Sequence, residues 1–92
     1  MNKNDAEAIA TEALAFLAAD AERLRRFLDL SGLDPASIRA AAESVDFLAG
    51  VLDYICADEA LLVGFAADAG LQPPLVERAR LTLAGRWERD LP

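Results

Sequence analysis

Residues 16–45 and 54–83 align on each other at a constant offset of 38 positions, without a gap. The register carries Phe16-Leu17-Ala18-Ala19-Asp20 onto Tyr54-Ile55-Cys56-Ala57-Asp58, Leu24 onto Leu62, Phe27 onto Phe65, Gly32-Leu33 onto Gly70-Leu71 and Pro35 onto Pro73. Eight of the 28 pairs between Phe16 and Glu43 are identical, against roughly 3 expected by chance in a chain rich in Ala and Leu. The shared residues are those that start, stop and turn helices. One helical unit written twice, in units of about 5–45 and 46–87, is therefore the expected plan of a single domain spanning 1–92.

Each shared residue has a backbone role. Asp20 and Asp58 each precede a helix-forming run and can accept its first unpaired N–H groups, at the positive end of the helix dipole. Gly32 and Gly70 can take the left-handed conformation past a helix C-terminus, and the Leu that follows each fits the apolar contact that seals such a cap. Pro35 then suits the first position of a third helix, with Asp34 as its cap, and Pro73-Pro74 repeats that device. Outside the echo, Asn4 or Asp5 is expected to cap a first helix that carries Ile9, Ala13, Phe16 and Leu17 and ends about Ala18. The third helix should hold Ile38, Ala41 and Ala42 and stop near Glu43 or Ser44. A fourth, from about Asp46, shows Phe47, Leu48, Val51, Leu52 and Ile55 on one face, and the last runs from Pro73 or Pro74 through Val76, Ala79 and Leu83 toward Trp87.

The composition agrees with an all-α fold, a compact bundle of five to six helices built from two pseudo-repeated three-helix units related by a pseudo-two-fold axis. Of the 54% hydrophobic residues many are Ala, the best helix former and a poor contributor of buried area. No run alternates with period two over strand length. A net charge of −7 disfavours nucleic-acid phosphates as partners, no apolar stretch is long enough to span a bilayer, and the N-terminus lacks the halves of a secretion signal; the expected location is cytoplasmic, with no membrane association. A lone Cys56 and no histidine remove the usual zinc sites and the Ser-His-Asp and Cys-His forms of catalysis. Cys56 is expected as a buried core thiol. No metal, cofactor or catalytic residues are expected, since Asp20, Asp34, Asp46 and Asp58 all have capping explanations.

The differences between the copies bear on function, because the shared residues already have backbone roles. Arg23, Arg25 and Arg26 of the second helix become Leu61, Val63 and Gly64, and Asp29 becomes Ala67. The helix over 59–69 is thus apolar nearly all round. Either it is the central, enclosed element, or a face at Leu61, Val63 and Gly64 stays exposed and is covered by a protein partner or by a second subunit. Gly64 fits either version, being better tolerated where another backbone comes close. Arg23, Arg25 and Arg26 form a basic patch, read as a solvated face or as a dock for an acidic partner. Trp87 either closes the core or anchors a partner.

The alternative function is a helix-turn-helix over residues 65–86. Phe65 to Val76 has the small residue at Ala66 and the turn glycine four later, and the following helix could present Arg78, Arg80 and Arg86 to DNA. Pro74 and Leu75 stand where such proteins touch DNA, and the charge opposes the approach.

The strings Ala13-Leu14-Ala15-Phe16-Leu17-Ala18, Arg26-Phe27-Leu28-Asp29-Leu30-Ser31-Gly32-Leu33 and Phe47-Leu48-Ala49-Gly50-Val51-Leu52-Asp53-Tyr54 resemble a family of short alphaproteobacterial helical proteins, the domain of unknown function DUF3572. The resemblance spans nearly the whole chain and implies a small helical cytoplasmic protein of unassigned role, with no functional residues to carry over. From the residues themselves, the expected function is that of a non-enzymatic protein–protein interaction module.

Overall fold

A computed structural model describes the backbone of residues 1–89 and the side chains of residues 1–84. Helix α1 runs Lys3–Ala18, α2 Ala21–Ser31, a 3-10 turn Pro35–Ser37, α3 Ile38–Ala41, α4 Val45–Cys56, α5 Glu59–Ala69 and α6 Pro73–Arg89. The described residues contain no strand. The radius of gyration is 12.6 Å, close to the value of about 12 Å that chain-length scaling gives for a folded domain of this size.

The two corners where a long helix gives way to the second helix of each unit have the same local geometry. Asp20 sits at φ −126°, ψ 117° and its Oδ1 accepts from the N–H groups of Glu22 at 2.9 Å and Arg23 at 3.2 Å. Asp58 sits at φ −124°, ψ 112° and accepts from Ala60 at 2.9 Å and Leu61 at 3.2 Å. The helices that follow are both 11 residues long, and they end at Gly32 with φ 72° and Gly70 with φ 69°. A side chain at that φ meets its own carbonyl, which is why both copies keep glycine there. The seals differ in detail. Leu71 N–H reaches back to the Ala66 carbonyl at 2.8 Å, whereas Leu33 N–H donates to Ser31 Oγ at 3.4 Å.

Contacts between the units are exchanged in kind. Phe27 meets Tyr54 with ring centroids 5.2 Å apart, and their counterparts at the offset, Phe65 and Phe16, meet at 5.6 Å. Both pairs are inclined rather than stacked, the arrangement the ring quadrupole favours.

The pattern breaks at the third element. In the first unit it is a 3-10 turn and a single α-helical turn ending at Ala41, not one helix to Glu43 or Ser44. Its counterpart α6 has 17 residues. The reason lies in the sequence after Ala41: Ser44 caps the next helix, its Oγ accepting from Phe47 N–H at 3.4 Å, so the chain must leave the helix in time to enter α4. Asp46 then lies in the first turn of α4 rather than at its cap. Likewise Asn2, not Asn4 or Asp5, caps α1, its Oδ1 accepting from Asp5 N–H at 2.8 Å.

The core is formed chiefly by α1, α4 and α6. Leu17, Val51, Leu52, Ile55, Val76, Ala79 and Leu83 are at most 1% exposed, and Ala6, Ala10 and Ala13 let α1 approach its neighbours closely. Helix α5 is not the central element. It buries only Phe65 and Ala66, and Val63 is 52% exposed. Between Glu59 and Asp68 its exposed positions include small residues in place of charged ones: Ala60 and Ala67 lie on solvent, where alanine is tolerated at little cost. Nor does another backbone approach Gly64; a Cβ built there meets only the tip of the Phe16 ring, at 3.6 Å. Gly64→Ala is therefore expected to stabilise the domain by about 0.5–1 kcal/mol through helix propensity. Urea unfolding followed by circular dichroism checks it, and destabilisation would contradict the geometry.

Candidate functional site

The structure divides the residues singled out on α5. Leu61 and Val63 are two positions apart on a helix and cannot share a face. Leu61 is half-buried and lines a groove of about 480 Å3 between α2 and the α4–α5 corner, with Leu30, Tyr54 and Ala57 as its other apolar surfaces and Arg26, Asp29 and Asp58 at its rim. Val63 faces solvent on another side. Gly64 lies against Phe16.

The basic patch is divided as well. Arg23 places its guanidinium 4.3 Å above the centroid of the Phe16 ring, a cation–π contact that covers an apolar face. Arg26 pairs with Glu22 at 3.5 Å, with both side chains exposed, so the pair contributes little to stability and leaves the guanidinium available at the groove. Arg25 is exposed. Beside them, the backbone N–H groups of Arg23 and then Glu22 hold the Asp20 carboxyl below its ordinary range, the behaviour of a capping acid.

The groove is built by identifiable local rules. Phe27 and Leu28 anchor α2 to the core, which turns Leu30, 200° of helical rotation from Leu28, out to solvent. Leu30 is 76% exposed, the most exposed of the large apolar side chains among the described residues. Tyr54 is fixed by its inclined contact with Phe27. The cap at Asp58 sets the start of α5 and so the place of Leu61. Leu30 and Tyr54 were not singled out from the sequence. A signal was present for the first, since Leu30 is the one leucine of α2 off the Leu24, Phe27 and Leu28 stripe.

The arginines of the helix-turn-helix reading lie apart. Arg78 borders a second groove beside Asp5 and Glu12. Arg80 is engaged by Glu77 at 3.3 Å and by Asp53 at 3.8 Å. Leu81 stands 57% exposed next to it. The side chains of Arg86 and Trp87 lie outside the described residues.

Cys56 is half-buried rather than in the core proper. Burial first, and the neighbouring Glu77 carboxylate second, push its thiol up to about 11. Relative to an ordinary value near 9.0 that is about 100-fold less thiolate at neutral pH; the greater nucleophilicity of a more basic sulfur offsets part of it, so alkylation by iodoacetamide should be about 10-fold slower than for free cysteine. A rate equal to that of free cysteine would contradict this environment.

Among the described residues no three potential metal ligands come together, and no helix is long and apolar enough to cross a membrane. The family model described as a protein of unknown function, DUF3572, matches residues 3–86. No curated protein and no solved structure matches the chain.

Proposed function

We propose that this chain, which belongs to the DUF3572 family, is a non-enzymatic domain that binds another polypeptide through the groove between α2 and the α4–α5 corner. One observation carries the reading: Leu30, at 76% exposure, stands beside the half-buried Leu61 and Tyr54 in a groove of about 480 Å3. An exposed leucine next to a concave apolar floor leaves surface that a partner can remove from water, with charged groups at the rim to set orientation. The chain has no histidine, and its one thiol is held protonated, so neither an imidazole nor a thiolate is at hand for proton transfer or nucleophilic attack. A cytoplasmic place of action goes with this reading.

The helix-turn-helix alternative draws less support. Arg80 is already paired with two carboxylates, and the net charge of −7 opposes a phosphate backbone.

Affinity purification from the native organism, with wild type and Leu30→Lys as parallel baits, tests the proposal. A polypeptide held by wild type and lost from the variant is the expected result. Identical capture by both baits overturns the groove as the docking site, and retention on duplex DNA that added salt abolishes would move function to α5 and α6.

A further inference from the structure

We infer that the occupant of the groove is a second copy of this chain, joined by a two-fold axis that sets Arg26 and Leu30 of each copy against Asp58 and Leu61 of the other. The inference rests on the groove being the docking site and names what fills it. Helix α2 presents a cation and a leucine four residues apart, separated by about 6 Å along the helix. The α4–α5 corner presents an acid and a leucine three residues apart, about 4.5 Å along α5. Both stripes border the same groove. A surface that carries a pattern and its complement together is what a two-fold interface requires, because each contact is then made twice.

The differences between the two copies of the unit support the same conclusion. The offset of 38 relates Tyr54, Ala57 and Leu30 to Phe16, Ala19 and Asp68, and these three border a groove of about 400 Å3 on another edge of the molecule. That edge has lost the complementary pattern. Leu61 is replaced by Arg23, whose guanidinium covers the Phe16 ring at 4.3 Å; Leu30 is replaced by Asp68, and Arg26 by Gly64. Two matching edges on one chain would let copies add without limit, whereas a single self-complementary edge closes at two. Arg23 and Asp68, which have no capping duty, thereby acquire a role: they keep the second edge from pairing.

Sedimentation equilibrium of the full chain, from micromolar to millimolar concentration at physiological salt, tests the inference. The salt matters because a screening length of about 8 Å suppresses repulsion between two acidic copies. A monomer–dimer equilibrium with no larger species is expected. Leu30→Lys should raise the dissociation constant about 30-fold for each of the two equivalent contacts, or about 1,000-fold together, with helicity unchanged and, at concentrations where both proteins are monomeric, the same thermal midpoint, because the side chain is exposed in the single chain. Arg23→Leu combined with Asp68→Leu, which restores leucines to the second edge, should produce species larger than a dimer. Wild type that stays monomeric throughout overturns the inference, as does a dimer that Leu30→Lys leaves intact. A monomeric wild type whose captured polypeptide is lost with Leu30→Lys would remove only the second copy as occupant. Equal capture by both baits would remove the docking groove itself.

Discussion

Phe65→Ala should lower the unfolding free energy by about 3–5 kcal/mol, the range for truncating a buried aromatic side chain. Among the described residues Phe65 is the largest fully buried side chain, at 1% exposure, and its ring lies 5.6 Å from that of Phe16. It is also one of only two residues that α5 buries. Its loss removes the ring contact that joins that helix to α1. Total stabilities of small domains are about 5–15 kcal/mol, so the variant should unfold at much lower urea concentration or be partly unfolded without denaturant. Phe27→Ala is the companion measurement: Phe27 is 4% exposed and touches Tyr54 and Phe47 at 5.2 and 5.8 Å. A similar loss is expected from it, because the two phenylalanines make exchanged contacts between the units. A change below about 1 kcal/mol in either variant would show that its ring is not enclosed as described.

Ile55→Ala should cost about 2–5 kcal/mol, lowering the thermal midpoint by at least about 10 °C for a domain of this length. Ile55 is 0% exposed on α4, and its counterpart at the offset, Leu17 on α1, is also 0% exposed. The equivalent substitution at Leu17 should fall in the same range. Differential scanning calorimetry of the two variants decides the matter. A pair in which one residue proves expendable would mean that the units do not contribute alike to the common core.

The parts of the fold legible in the sequence are those where one residue type has one inexpensive use. Glycine beyond a helix end, aspartate before one, and an apolar stripe at helical spacing each fix local backbone geometry, and Asp20, Asp58, Gly32 and Gly70 stand as expected. Caps among several candidates were harder. Asn2 and Ser44 won over Asp5 and Asp46 because any of these side chains satisfies the same orphan N–H groups, and tertiary context chooses the turn at which a helix begins.

Burial of α5 was not legible because alanine fits both environments. A helix of Ala, Leu, Val and Gly has the same sequence pattern whether it is enclosed or rests on the core by one side, with Phe65 and Ala66 buried and Leu61, Leu62 and Ala69 half-buried beside them. The candidate site was legible in part. The contrast between the copies at positions 23–26 and 61–64 pointed to Leu61 and Arg26, both of which border the groove. It also pointed to Val63, which does not, because residue-by-residue differences leave out the roughly 200° of helical rotation that separates Val63 from Leu61. Leu30 lay in the same comparison, opposite Asp68, and its meaning emerges only once the α4–α5 corner is seen beside it.

Amide hydrogen exchange, followed by mass spectrometry on the free chain and on the chain in its bound state, tests the docking groove most directly. Binding should slow exchange in segments 26–30 and 54–61 together, because α2 and the α4–α5 corner form the two walls that a partner must cover. Slowing confined to α6 around Leu81, or to the groove beside Arg78, with those two segments unchanged, would contradict the account.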